Sequence, residues 1–345
     1  MEADRSATAM CPKNMVFGPC ADIGRNGECE VPVAVGGPLQ CPFVGDWAAG
    51  HFTRFVDEST SHRAVSIPAD RPLPRIMTEL PDVGRNGQAI RAMARRLAGH
   101  VDAVLFGDTN WDRVQFPPSY RAALVEQEGL RSWPGLNARD RNRVALEGEL
   151  LALRDLNVAG VHCVTGNHTH SGNRPDAAPV FDLDSTRLVR LATAIGHTAS
   201  VAASPHSLPV DLRPVRTFDK GVAGASICFI DQPVNARGIA TFIEQVRGCG
   251  TTPLTFFPVI SIITSLDDVE RWRTYPNARV PDGWIETLSS AGNVADRGLS
   301  LALDLAQSAL ALDGVSGVLF ASTSTPANAH DVAAVFRDAS AALRL

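Results

Sequence analysis

From residue 75 onward the chain alternates short apolar runs with longer stretches whose apolar residues recur at helical spacing. The runs 75–80, 101–107, 133–138, 160–165, 199–203, 225–231, 254–260 and 316–320 predict strands. The stretches 86–98, 119–128, 140–156, 184–195, 213–222, 238–248, 266–275, 281–311 and 329–343 predict helices. In the first of these, Ile90, Met93, Ala94 and Leu97 mark a single apolar face. Eight strands, each followed by helical sequence, favour an α/β fold of the (β/α)8 TIM barrel type over an open doubly wound sheet. No Gly-x-Gly-x-x-Gly follows an early strand, which removes the main argument for a dinucleotide-binding open sheet.

The first 74 residues break this rhythm. Residues 1–44 are rich in Gly, Pro and Cys, hold no sustained period and cannot build a core of their own. Residues 45–72 carry scattered aromatics (Trp47, Phe52, Phe55) and end among prolines, as a connector packed on the barrel would. The expected organisation is therefore a small module (1–44), a connector (45–72) and a barrel (73–345). Cys11, Cys20, Cys29 and Cys41 crowd the module, separated by eight, eight and eleven residues. Four thiolates with Gly and Pro between them could wrap one tetrahedral ion, whose binding would supply the folding energy the segment lacks. Zinc is expected ahead of an iron–sulfur cluster, with unligated thiols as the alternative, since the spacing is not that of paired Cys-x-x-Cys knuckles.

Composition narrows the function classes. The chain is 45% hydrophobic and 20% charged, with a formal net charge of −5. That balance leaves no electrostatic footprint for nucleic acid or an anionic membrane, and points to small-molecule chemistry. No run reaches the roughly 18 to 20 apolar residues of a membrane span, and the N-terminus lacks a charged-then-apolar signal pattern, so a cytoplasmic location is expected.

Barrel enzymes keep their chemistry at the carboxyl ends of the strands, so polar residues there are the candidates. Glu79 ends the run Arg75-Ile76-Met77-Thr78 and is followed by Leu80-Pro81, which makes it a candidate acid at the first strand end. Val164-Thr165-Gly166-Asn167-His168 closes the fourth strand and Phe229-Ile230-Asp231-Gln232-Pro233 the sixth. A glycine beside an amide at such a place lets a flat ring approach the backbone and be hydrogen-bonded at its edge. His162, His168 and His170 lack a carboxylate at helical spacing and read as loop-bonding histidines rather than metal ligands. Arg139-Asp140-Arg141-Asn142-Arg143 reads as a charged helix start with Asp140 as its cap.

Together these segments resemble the methylenetetrahydrofolate reductase family over most of residues 75 to 320. The resemblance runs through Glu79-Leu80-Pro81, Asp102-Ala103-Val104 to Asp108 and Arg113, and Arg139-Asp140-Arg141-Asn142-Arg143. It continues through Thr165-Gly166-Asn167-His168, Val180-Phe181-Asp182-Leu183-Asp184-Ser185, Lys220 with Ala223-Gly224-Ala225, and Gln232. The N-terminal Cys11-Pro12-Lys13-Asn14-Met15, Gly18-Pro19-Cys20 and Cys29-Glu30 resemble the cysteine-rich module of the zinc-binding partner subunit of some bacterial reductases.

The resemblance implies a barrel that reduces 5,10-methylenetetrahydrofolate to 5-methyltetrahydrofolate with NADH or NADPH, usually through FAD. It assigns Glu79 as the acid that opens the bridged folate to an iminium, and Gln232 as a pterin contact. Asp108, Asn167 and Lys220 join Gln232 as candidate substrate or cofactor ligands. The family's flavin contacts are thinned: Gly107, Gly135, Thr165-Gly166-Asn167, Ser204 and Leu208 stand at those positions. Direct hydride transfer from the nicotinamide is therefore expected as readily as a flavin route. The alternatives are a folate-dependent methyltransferase or demethylase on the same barrel, or a non-catalytic partner subunit. A homo-oligomer or a partner subunit is compatible with the sequence.

Overall fold

The computed structural model describes residues 10–33, 37–56, 72–107, 112–273, 279–281 and 283–344. The N-terminal segment begins with an antiparallel pair, β1 (Glu28–Val33) and β2 (Gly37–Gln40), followed by the short helix α1 (Pro42–Ala48). Pro42 opens α1, where its missing N–H leaves no bond unmade. Eight parallel strands then close a barrel: β3 (Ile76–Glu79), β4 (Ala103–Phe106), β5 (Ser132–Asn137), β6 (Val161–Val164), β7 (Ala199–Ala203), β8 (Ile227–Ile230), β9 (Thr255–Ser261) and β10 (Val318–Ala321). Each strand pairs with its sequence neighbour, and β10 closes the barrel onto β3 through Leu319 opposite Met77. The fold is the (β/α)8 barrel expected from the sequence.

The helices between the strands are α2 (Gly87–Leu97), α3 (Pro118–Glu126), α4 (Arg143–Asp155), α5 (Ser185–Ile195), α6 (Arg213–Val222) and α7 (Ala236–Gly248). After β9 come α8 (Leu266–Arg273), α9 (Trp284–Ser289) and α10 (Val294–Leu310), and α11 (Ala329–Arg344) ends the chain. The single stretch expected over 281–311 is two helices. Asn293 accepts hydrogen bonds from the N–H groups of Ala295 and Asp296, and so starts α10 as a separate helix. Asp140 is not the cap of α4 either. Asn142 holds that place by accepting from Ala145 N, while Asp140 pairs with the buried Arg139.

Alternation along the strands sorts side chains into two layers. Ile76, Val104, Cys163, Val201, Cys228 and Phe256 face outward to the helices. Met77, Ala103, Trp133, Ile227, Phe229, Phe257 and Leu319 fill the barrel interior as a dry floor. Trp133 is fully buried there, and its indole N–H donates to Ser200 Oγ at 2.8 Å. Its ring explains Gly160, because a Cβ at that position would lie 2.4 Å from the indole. Above this floor Leu105 and Val259 continue the apolar lining, while Glu79 brings a carboxyl into the inward row of β3.

The N-terminal segment lies against the carboxyl-end loops of the barrel. Val16 N donates to Asp184 Oδ2 at 3.3 Å, Ser207 Oγ to Ala21 O at 2.9 Å, and Arg213 to the carbonyls of Pro19 and Cys20 at 3.2 and 3.0 Å. Arg54 pairs with the buried Asp219 of α6 at 2.7 Å. Among the described residues, no helix is long and apolar enough to cross a membrane.

Candidate active site at the barrel mouth

Glu79 ends β3 on its inward face, in the same row as Met77, so its carboxyl enters the mouth. It accepts a hydrogen bond from the backbone N–H of Ser322, just beyond β10. Burial raises its pKa from an ordinary 4.5 to about 7, and the nearby negative charge of Asp231 pushes the same way. At neutral pH this group can hold a proton and release it, as a general acid must.

Asp231 follows β8 and shares its inward row with Ile227 and Phe229. Burial and the charge of Asp22 raise its pKa to about 6, against hydrogen bonds from Gln232 N–H and the Ser204 hydroxyl. The sequence pointed to its neighbour, Gln232, instead. Gln232 itself has a φ of 50°, and its Oε1 accepts from Arg279 N at 3.0 Å. It still lines a cleft of about 50 Å³ with Ala21, Asp22, Ser204, Ser207 and Asp231. The signal for Asp231 was present in the alternation Ile227, Phe229, Asp231.

The fourth-strand candidate is engaged by the protein. Asn167 Nδ2 donates to Asp22 Oδ1 at 3.2 Å, so the amide proposed for a ring edge holds the N-terminal segment. Lys220 on α6 donates to Ala202 O at 2.8 Å, and burial lowers its pKa to about 8. Its charge lies near Arg216, Cys228 and Asp184, while Glu79 and Asp231 interact with each other. Asp108 lies outside the described residues. The structure thus brings Glu79 to Asp231, Asp231 to Gln232 and Asp22, and Asn167 to Asp22.

The positions that the resemblance associates with flavin do not fit that group. Thr165 Oγ1 accepts from Ser185 N at 3.0 Å, Asn167 is bound to Asp22, Ser204 to Asp231, and Leu208 packs on the cysteine segment. Gly107 and Gly135 offer no side-chain donor.

The four cysteines are not drawn into one tetrahedral set. Cys11, Cys29 and Cys41 are near enough for their charges to interact, whereas Cys20 Sγ accepts from Lys13 Nζ at 3.7 Å. Burial pushes Cys41 up to about 11 and Cys20 to about 12. Cys41 instead joins Met15, Ile23 and Phe43 in a small apolar cluster. Among the described residues, no group of three or more His, Cys, Asp or Glu side chains could hold a metal ion. The expected zinc or iron–sulfur ligand set therefore finds no fit in these residues. The histidines are structural: His162 Nδ1 lies 3.0 Å from Ser200 Oγ and burial lowers its pKa to about 3, and His168 stacks on Phe181.

No family model matches the sequence, and no curated protein matches it. Among solved structures, an uncharacterized protein from Clostridium thermocellum that binds two copies of 5-methyl-5,6,7,8-tetrahydrofolic acid is similar in fold. The match covers 79% of this chain and 97% of that one, at 11% identity and a TM-score of 0.57. A tryptophan synthase from M. tuberculosis, in an aminoacrylate- and BRD0059-bound form, matches over 79% of this chain and 92% of that one, at 11% identity and a TM-score of 0.48. At these identities the likeness is one of fold.

Proposed function

We propose that this chain is a methylenetetrahydrofolate reductase-like oxidoreductase that converts 5,10-methylenetetrahydrofolate to 5-methyltetrahydrofolate with hydride from NADH or NADPH. The observation that carries the reading is Glu79, an inward carboxyl at the first strand end whose proton is retained to about pH 7. In this reading Glu79 donates its proton to a bridging folate nitrogen, the carbon–nitrogen bond breaks, and the methylene carbon becomes part of an iminium. Hydride from the nicotinamide then adds to that carbon, giving the methyl group and oxidised nicotinamide. The folate product carries one hydride, from the nicotinamide, and one proton, from Glu79, more than the folate substrate, and the acid is restored from solvent.

The similar barrel that binds 5-methyltetrahydrofolate would hold the product of this reaction, which is in keeping with the reading. Asp231 serves in it by keeping Glu79 protonated. The space at Gly107, where an added Cβ would meet nothing within 4 Å among the described residues, suits the approach of a flat ring. The engaged flavin positions favour hydride passing straight from nicotinamide to folate, with proximity supplying most of the rate. The test is oxidation of NADH or NADPH by the purified chain, with and without 5,10-methylenetetrahydrofolate. Folate-dependent oxidation with formation of 5-methyltetrahydrofolate is expected; its absence with both nucleotides overturns the reading.

A further inference from the structure

The N-terminal segment carries a cluster that the reduction reading leaves unused. Lys13 is only 1% exposed, an extreme place for an ammonium. Its Nζ lies 2.9 Å from Asp22 Oδ2 and pairs with Glu30, whose side chain is 6% exposed. Each carboxylate then reaches across to the barrel. Asp22 Oδ1 accepts from Asn167 Nδ2 at 3.2 Å, and Glu30 accepts from His168 N at 2.9 Å and from the Ser171 hydroxyl at 3.2 Å. All three donors sit on the loop after β6, at the end of the barrel where Glu79 and Asp231 lie.

Resting on the reduction reading, we propose that Lys13 is a positioning residue: its ammonium binds Asp22 and Glu30 together, and through them the N-terminal segment fixes the 167–171 loop as one wall of the mouth. Two carboxylates this close, on a segment with little core, would repel each other without a shared cation. The loop they hold contains only one turn of 3-10 helix, Thr169–Ser171, so these bonds add to the few others that order it, among them the stacking of His168 on Phe181 and the bond from Arg139 to Asn167 O. Asp22 also stands in the cleft beside Asp231, so the same ion pairs set the wall nearest the second carboxylate of the site. The motif that resembles a metal module would thus act through its lysine and acids.

The test compares Lys13→Met and Lys13→Arg in the full chain by amide hydrogen exchange and by calorimetric affinity for 5-methyltetrahydrofolate. In Lys13→Met, exchange at 168–171 should quicken on the order of a hundredfold, as loss of one partner of a buried ion pair implies, with β3 and β8 unchanged. Affinity should weaken about tenfold through loss of preorganisation, and Lys13→Arg should restore most of both. If Lys13→Met does not fold, the triple variant Lys13→Met/Asp22→Leu/Glu30→Met, which removes the charges together with the acceptor oxygens and so should free the loop, is read in its place. Exchange and affinity equal to wild type in either variant overturn the proposal. If the wild-type chain neither binds 5-methyltetrahydrofolate nor reduces the methylene compound, the reduction reading falls and takes the positioning role with it. If it does both while Lys13→Met is silent, this proposal alone falls.

Discussion

The two sides of the barrel mouth use the same kinds of residue differently. On the side of β3 and β8, Glu79 and Asp231 are buried carboxyls whose pKa values rise to about 7 and about 6. On the side of β6, Asn167 and His168 are tied to Asp22 and Glu30, and Lys13 neutralises the acids. One side holds carboxyls with raised pKa values; the other has its polar groups matched by hydrogen bonds and ion pairs. A strand-end polar residue is therefore reactive or structural according to whether a partner of opposite charge reaches it.

The largest expected effect lies on the reactive side. Glu79→Gln should lower kcat at pH 7 by roughly a thousandfold, the usual weight of a general acid, while the fold and substrate affinity persist. Asn167→Leu on the other side should lower kcat by less than about tenfold, because that amide acts on the wall. Equal losses would erase the distinction between the two sides.

The buried acid at the end of β3 also predicts how stability depends on pH. Glu79 has a raised pKa, so the folded state binds more protons than the unfolded one between about 4.5 and 7. Stability should therefore fall as pH rises through that window, by at most about 3 kcal/mol for this group. Chemical denaturation of wild type and Glu79→Gln at pH 5 and pH 8 measures it, and the variant should lack this part of the decline.

A smaller effect concerns the wall. Asn167→Leu removes a donor from a partly buried carboxylate, and should cost about 1 to 3 kcal/mol by the same denaturation assay. Smallest is the coupling between the two carboxyls. Asp231→Asn removes a like charge near Glu79, so the carboxyl of Glu79, followed by its infrared band, should titrate lower by less than about one unit. An upward shift would mean that the two groups do not face each other.

Much of this arrangement is legible in the sequence. The eight strands stand out because buried parallel strands are short continuous apolar runs, and Glu79 because it ends the first of them. Asp231 is harder to see, since Gln232 beside it offers the more suggestive amide and only the alternation Ile227, Phe229, Asp231 brings the acid forward as well. The partners of Asn167 are not legible at all. Asp22 lies 145 residues away in the chain, and no local pattern links a lysine in a cysteine-rich segment to a barrel loop. Cysteine crowding suggested a metal; what the structure places around these thiols is a small apolar cluster of Met15, Ile23, Cys41 and Phe43, with Cys20 facing Lys13, and none of that is legible in the spacing. Local competition also misled at Asp140, where Asn142 takes the helix cap and the buried guanidinium of Arg139 takes the acid.

The central claim is that Glu79 supplies a proton at neutral pH to a folate undergoing reduction, and the pH dependence of kcat tests it most directly. Turnover of 5,10-methylenetetrahydrofolate with NADH or NADPH should be full below pH 7 and fall above it with a single ionisation near 7, the value of the acid in the mouth. The residual rate of Glu79→Gln should lack that ionisation. A profile without an ionisation in this range, or a Glu79→Gln variant that keeps most of the wild-type turnover, would contradict the account.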